Sequence, residues 1–198
     1  MVEDNRKLKV AMLGQKTIPS RKGGVEVVVK ELSERMVKSG IEVTCYNRRE
    51  KGEERPKEYN GIKLKYAWTI DKKGLAALTS SFFATIMVLF SRNNVVHYHA
   101  EGPCAWLWII KFFSKKKIIA TIHGLDWQRA KWGGFASKWI KFGEKVAAKH
   151  ADEIIVLSKN AQKYFKEQYN RETQFIPNGI SKPKILSAKE ITKKYGLK

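Results

Sequence analysis

Apolar residues follow two rhythms along this chain, and the rhythms alternate. Leu8–Gly14 (LKVAMLG) is a short apolar run closed by glycine, the pattern of a buried parallel strand. A polar loop follows, with Pro19 and the pair Gly23–Gly24. Apolar residues then recur at Val25, Val28, Val29, Leu32 and Met36, the spacing of one helical face, and Gly40 stops the helix. Ile41–Asn47 (IEVTCYN) is β-branched and predicts a second strand. The chain therefore opens with a βαβ unit.

The same alternation continues. Arg48–Glu58 is almost entirely charged and reads as a solvated loop. Gly61–Ala67 alternates, which predicts a strand with one wet face. Gly74–Ser91 carries no charge. As a helix it would span roughly 27 Å, just short of a hydrocarbon core. It holds Thr79, Ser80, Ser81 and Thr85 and reads as a buried core helix. Next come a strand at Asn94–His99, a helix opening at Pro103 and filled by CAWLWIIKFFS, and a strand at Lys117–His123. A Trp/Lys-rich helix, a strand at Glu153–Ser158, the helix KNAQKYFKEQY and a short strand at Thr173–Gly179 with a Pro-Asn-Gly turn complete the series. Ser187 and Glu190 form a capping box opening a terminal helix. Strands alternating with helices predict an α/β fold: a Rossmann-like, doubly wound, mostly parallel sheet. Ligands of such sheets sit at the carboxyl ends of the strands, here the loops Gln15–Gly24, His99–Gly102 and His123–Arg129, and Ser158.

Composition adds a partner class. The 198 residues suffice for one domain with a sizeable core, and the formal net charge is +20. Such a charge favours polyanionic partners: phosphorylated ligands, an anionic membrane surface or nucleic acid. Cys45 and Cys104 form no C-x-x-C and read as reduced thiols. The polar start MVEDNRKLKV is no signal peptide, and the expectation is a cytoplasmic protein.

Four features carry candidate chemistry. GQKTIPSRKGG matches neither a Walker A loop nor G-x-G-x-x-G. Its two glycines at a helix N-terminus suit either an anion, with Lys16, Arg21 and Lys22 nearby, or a plain turn. His123 ends a buried strand before Gly124, where it would face the cleft or be satisfied by backbone. His97 and His99 share a strand face, but no further ligand cluster accompanies them and no metal site is expected. In the helix after His123, projection puts Trp132, Phe135, Trp139, Phe142 and Val146 on one face and Lys131, Lys138, Lys141, Lys145 and Lys149 on an adjoining stripe. The aromatic face packs on the sheet. The stripe is solvated or meets anionic lipid; base stacking is the third alternative.

Five segments in order, IPSRKGGVEVVVKELSERMVKSGIEVTCYNR, VVHYHAEGP, TIHGLDWQRAKW, ADEIIVLSKNAQKYF and FIPNGI, resemble the N-terminal half of family 4 retaining glycosyltransferases of the bacterial envelope and polysaccharide type. The resemblance covers essentially the whole chain. It implies the GT-B fold, two Rossmann-like domains facing across a cleft. It implies transfer of a sugar (a hexosyltransferase reaction) from a nucleotide sugar to a hydroxyl of a glycan or lipid-linked saccharide, with retention and with no metal or other cofactor.

By position, the resemblance implies that Gly23 and Gly24 lie beside the donor diphosphate or an acceptor phosphate. It implies that His123 hydrogen-bonds the transferred sugar, and that Asp126, Arg129 and His99 line the acceptor side. Ser158 and Asn178 match cleft-edge positions. Ser181 stands where an aspartate often follows the Pro-Asn-Gly turn. Residues 1–180 would be the N-terminal domain, and 181–198 the linker and the start of a missing C-terminal domain that carries most donor contacts, including a Glu-x7-Glu pair. The chain would then be an inactive, acceptor-side fragment, cytoplasmic or peripheral on the inner face of the membrane. Nucleic acid is not an expected partner on this reading. A basic nucleic-acid-binding module and an anionic-membrane-docking module without catalysis are the rival readings.

Overall fold

The computed structural model describes residues 7–72, 74–125, 134–179 and 188–196, the last stretch by backbone alone up to 191. β1 (Lys9–Leu13) is buried on both faces, as its unbroken apolar run requires. It pairs in parallel with β2 (Glu42–Arg48) on one side and β5 (Val95–His99) on the other. Outside β2 lies β4 (Ile62–Ala67), whose burial alternates as its sequence does. Outside β5 lie β6 (Lys117–Ile122), β7 (Glu153–Val156) and the two-residue β8 (Gln174–Phe175), all parallel. Only Gln174 and Phe175 of the expected strand at Thr173–Gly179 join the sheet, and no regular structure follows over residues 176–179.

The loop expected at Arg48–Glu58 ends in a strand. β3 (Glu58–Tyr59) turns back on β4 in an antiparallel hairpin, pairing Tyr59 with Ile62. Asn60 and Gly61 both take positive φ (46° and 79°), the left-handed pair of a tight two-residue hairpin turn. The eight strands run in the order β3-β4-β2-β1-β5-β6-β7-β8.

Helices cover both faces, as double winding requires. α1 (Gly24–Lys38) lays Val29 and Leu32 on Val10, Met12, Val43, Cys45, Ile62 and Leu64. The opposite face carries Ala11, Leu13, Tyr46, Val96, Tyr98, Ile118, Ala120, Ile122, Ile154 and Val156. It is covered by α2 (Leu75–Leu89), α3 (Glu101–Cys104), α4 (Leu107–Phe113), α5 (Gly134–His150) and α6 (Lys159–Tyr169). The terminal helix is α7 (Ala188–Tyr195); Ser187, its expected cap, lies outside the described residues. No helix among the described residues is long and apolar enough to cross a membrane. The uncharged run at Gly74–Ser91 forms the 15-residue α2, whose Ser80, Ser81, Ala84, Thr85 and Val88 are buried.

The helix expected to open at Pro103 begins two residues earlier and breaks. α3 ends at Cys104 and α4 starts at Leu107. The break sits where α5 crosses. A Cβ on Gly143 of α5 would lie 2.0 Å from the Glu101 carbonyl oxygen, so only glycine permits this approach.

Candidate active site at the strand ends

β1 feeds α1 in one direction and β5 begins the other half of the sheet, so the switch point lies between their carboxyl ends. Two backbone features build that point. Gly14 (φ 108°) brings the end of β1 against β5, and a Cβ there would lie 2.1 Å from the His99 carbonyl oxygen. Ala100, just after His99, sits at φ 71° and ψ 157°, a region adopted almost solely by glycine. Its N–H donates to the Thr121 carbonyl (2.9 Å), and its carbonyl accepts from the Cys104 thiol (3.2 Å).

The two-residue period of a strand puts His97 and His99 on one face of β5. Register pairs His99 with Thr121, and two residues further on His123 continues the same face of β6. Four polar side chains thus meet. Nε2 of His97 bonds the Thr121 hydroxyl at 2.7 Å. Nδ1 of His99 bonds Nε2 of His123 at 3.1 Å. The rings of His97 and His99 stack at 4.2 Å. Burial holds both neutral: it drives His97 down to about 3 and His99 well below the usual histidine value, and the neighbouring rings add to both shifts. Among the described residues no three His, Cys, Asp or Glu groups are arranged to hold a metal ion.

His123 is half-buried at the rim, whereas His99 is fully buried (0% exposed). That corrects the placement of His99 on the acceptor side of the cleft: it lies beneath His123 and is closed to a ligand. Thr121, which completes the cluster, was not singled out from the sequence, and His97 was weighed only as a metal ligand, although the period of two through residues 119, 121 and 123 was there to be read.

The first loop is held by side chains that sequence reasoning also passed over. Asn47 at the end of β2 grips Ile18, donating to its carbonyl (2.9 Å) and accepting from its N–H (3.1 Å). Buried Gln15 donates to the Tyr46 carbonyl (3.2 Å). The loop borders a cleft of about 310 Å³ whose lining includes Lys16, Arg21, Lys22, Arg48, Arg55 and Tyr66. Carboxylates line it too. Glu50 meets Lys16 at 3.1 Å, and Glu26 in the first turn of α1 accepts the Lys16 N–H at 2.8 Å.

The two glycines of the loop are not equivalent. A Cβ on Gly23 would lie 2.1 Å from the Glu26 carboxylate, while one on Gly24 would meet nothing within 4 Å. The chain's own Glu26 carboxylate thus lies beside Gly23 at the helix N-terminus that would suit an anion. Ser158 stands at the end of β7, where its hydroxyl accepts the Ala161 N–H (3.1 Å) as the N-cap of α6. Asn178 is exposed beyond β8. Asp126 and Arg129 lie outside the described residues.

The outer surface of α5 departs from its projected faces. The helix packs through Ile140, Gly143, Glu144, Val146, Ala147 and Ala148, so Val146 lies inside as projected, while Phe135 is 73% exposed and Phe142 is exposed with it. Phe135, Lys138, Phe142, Lys145 and Lys149 all face outward at helical spacing. The aromatic and lysine sets thus interleave on one outer stripe, because small residues make the inner contact. Lys141 leaves the stripe. Its ammonium meets the buried Glu144 carboxylate at 2.7 Å and the Tyr164 hydroxyl, and Tyr164 and Tyr169 donate to the same carboxylate at 2.8 and 2.5 Å. Trp132 and Lys131 lie outside the described residues.

Rings in contact continue the surface across α2, α3 and α5: Trp68–Phe83, Phe83–Phe82, Phe82–Trp106, Trp106–Trp139 and Trp139–Phe142, with centroids 4.8–5.9 Å apart. On α4, beside α5, Phe112 and Phe113 are 66% and 69% exposed next to Lys111 and Lys115.

Known proteins give this arrangement its context. Sucrose-phosphate synthase from Thermosynechococcus elongatus superposes with a TM-score of 0.72 at 15% identity, over 88% of this chain and 49% of that one. Anabaena HepE in complex with UDP and glucose superposes at 0.64 with 11% identity, over 96% and 50%. Os79 from O. sativa in complex with UDP gives 0.55 at 11%, over 93% and 57%. The chain thus spans about half the length of the first two structures, and at these identities the likeness is one of fold: the Rossmann-like half of a GT-B architecture. No curated protein sequence matches. The sequence profile of Glycosyltransferase Family 4 matches residues 22–182, from the glycine pair through the strand-end histidines to the segment beyond β8. With most of its length inside that match and its sheet wound as the fold demands, the chain belongs to glycosyltransferase family 4.

Proposed function

We propose that this chain is the acceptor-side half of an enzyme that transfers a sugar from a nucleotide sugar to a hydroxyl of a glycan or lipid-linked saccharide, with retention. The observation that carries the reading is His123, half-buried at the carboxyl edge of β6 and backed by His99. A ring held in that way can hydrogen-bond a sugar hydroxyl without first reorganising. The cleft along the first loop holds Lys16, Arg21, Lys22, Arg48 and Arg55 among four glutamates, and its cations suit the anionic groups of such substrates; HepE in complex with UDP-glucose supports a nucleotide-sugar donor. Family membership favours this reading over a nucleic-acid-binding module. The half-length match favours a second domain as the source of most donor contacts.

On this reading, catalysis is mainly positioning and electrostatic stabilisation of the leaving diphosphate, completed when two domains close. The test uses the purified 198 residues with a panel of labelled nucleotide sugars and lipid-linked saccharides. The expected result is no turnover by the chain alone, together with acceptor-induced NMR shifts at His123. Multi-turnover transfer by the chain, or acceptors that leave His123 unmoved, would overturn it.

The outer stripe of α5 favours a second element of the same reading, peripheral docking on an anionic membrane. Exposed Phe135 and Phe142 flanked by lysines, with exposed Phe112 and Phe113 on neighbouring α4, offer apolar insertion and charge attraction. A lipid-linked acceptor would then be met at the membrane where it resides.

A further inference from the structure

The buried histidine pair has a proton to place. Burial keeps His99 neutral, so the 3.1 Å contact between its Nδ1 and Nε2 of His123 holds a single proton, and either ring can supply it. The other end of His99 distinguishes the two cases. Its Nε2 is buried and has no hydrogen-bond partner. If His123 donated, His99 would carry its proton on Nε2, as a buried N–H aimed at no acceptor. If His99 donates, Nε2 is a bare ring nitrogen. Orphaned N–H groups are the rarer of the two in protein interiors, and leaving a buried donor unmet costs about 1–3 kcal/mol. A hydrogen on Nε2 would also have to fit within packing that leaves His99 no exposed surface, one ring face stacked on His97.

We propose that His99 is a positioning residue that donates from Nδ1 to Nε2 of His123 and so fixes His123 in the tautomer that carries its proton on Nδ1. The consequence is chemical. Neutral His123 then has its one lone pair engaged by His99, and its remaining nitrogen is a hydrogen-bond donor. It meets an oxygen as a donor and cannot serve as a general base through either nitrogen while the pair is intact. His99 exerts this control from beneath, without touching a ligand. The strained Ala100 and the Gly14 contact fix the backbone on either side of it. The tautomer follows from the structure alone. That the oxygen belongs to a sugar rests on the function proposed above.

The experiment is a long-range nitrogen–proton correlation spectrum of the uniformly labelled chain at pH 7.5. The expected pattern is a protonated Nδ1 and a bare Nε2 in His123, and the same in His99. A proton on Nε2 of His123 in the wild-type chain overturns the proposal, and that observation needs no variant to fold. In His99→Phe, a folded protein whose His123 moves its proton to Nε2, with His99→Asn restoring the wild-type pattern, supports a positioning role. An unchanged His123 tautomer in folded His99→Phe overturns it. Saccharide titration is read separately. The expected tautomer without any acceptor response supports the present proposal and overturns only the assignment of the cleft to sugar transfer.

Discussion

Residues 142 and 143 of α5 are chain neighbours about 100° apart on the helix, and they invert the usual relation between size and burial. Phe142 is exposed, while Gly143 is buried against the Glu101 carbonyl. The inner side of α5 sets Gly143, Ala147 and Ala148 among Ile140, Val146 and the Glu144 carboxylate, and at Gly143 the backbone of α3 can come close. The outer side is made of phenylalanines and lysines. Hydrophobic side chains enter a core only where there is room, and at Gly143 the crossing of α3 and α5 leaves none. The outer aromatics are therefore free to serve an interface.

The sharpest way to break this comparison is to enlarge the inner side. Gly143→Val drives a branched side chain into backbone that cannot yield, and is expected to cost about 3 kcal/mol or more, abolishing cooperative unfolding in urea. Phe142→Ser, one residue away, is expected to change stability by less than about 1 kcal/mol. Equal losses for the two variants would mean that the outer stripe is part of the fold.

The second test concerns the outer side. Lys138, Lys145 and Lys149 point outward, whereas Lys141 neutralises the buried Glu144. Near an anionic surface each basic residue contributes about 1 kcal/mol, so the triple alanine variant of Lys138, Lys145 and Lys149 should lose on the order of 100-fold in partitioning to phosphatidylserine vesicles at unchanged thermal stability. Lys141→Ala should do the reverse, lowering stability because a buried carboxylate loses its cation while vesicle binding falls by less than 10-fold. Co-sedimentation and thermal unfolding on the same preparations separate the two. Vesicle binding that ignores the triple substitution would remove the membrane from the proposed function.

These two sides also mark what the sequence could reveal. Strand and helix order was legible because β1, β5 and β6 are short apolar runs and α1 and α6 are strongly periodic. The hairpin at Asn60–Gly61 was equally legible from its two turn residues and was missed because the strand before it, Glu58–Tyr59, overlaps the end of a charged segment. His123 could be singled out because it ends a strand. His99 was named as a cleft residue, but its pairing with His123 could not be read, because alliance across strands depends on register, which sets His99 opposite Thr121 only once β5 and β6 are side by side. The faces of α5 were misassigned for a related reason. Projection sorts residues by angle, but only the neighbouring helix decides which angle is inside, and Gly143 carried that information without hydrophobicity. The anion reading of Gly23–Gly24 likewise did not weigh Glu26, whose carboxylate lies beside Gly23.

The histidine cluster shares the inner side's dependence on burial, and acid tests it. Unfolded, His97 takes a proton near pH 6.5; folded, near 3. Between those values the unfolded chain binds more protons, so stability rises with pH and is lost as pH falls from 6.5 towards 3. Each pH unit in that window removes about 1.4 kcal/mol through His97 alone, or about 3 kcal/mol by pH 4.5. His99 acts in the same direction. The difference in urea midpoint between pH 7 and pH 4.5 should shrink in His97→Gln, whose amide can keep the Thr121 hydrogen bond without titrating. An acid dependence identical to wild type would mean that these rings are not held neutral.

The smallest effect comes from the residue that joins the two regions. Ala100 follows His99 and precedes Glu101, which Gly143 touches. At φ 71° and ψ 157° its Cβ is strained in a way that glycine would not be, at a typical cost of about 1–3 kcal/mol. Ala100→Gly relieves that strain but gives the unfolded chain more freedom, which takes back about 0.4–1 kcal/mol. The expected net is a gain of about 1 kcal/mol, read as a raised urea midpoint with an unchanged m-value. A second readout asks what the strain does. Ala100 is held by the Thr121 carbonyl on one side and the Cys104 thiol on the other, so the surrounding structure over-determines it. If those contacts alone fix the strand end, the glycine variant keeps the His99–His123 nitrogen shifts of the wild type. If the alanine is needed to stop the backbone relaxing, the variant gains stability while the two histidine signals broaden or move, which would tie the strain to the positioning of His123.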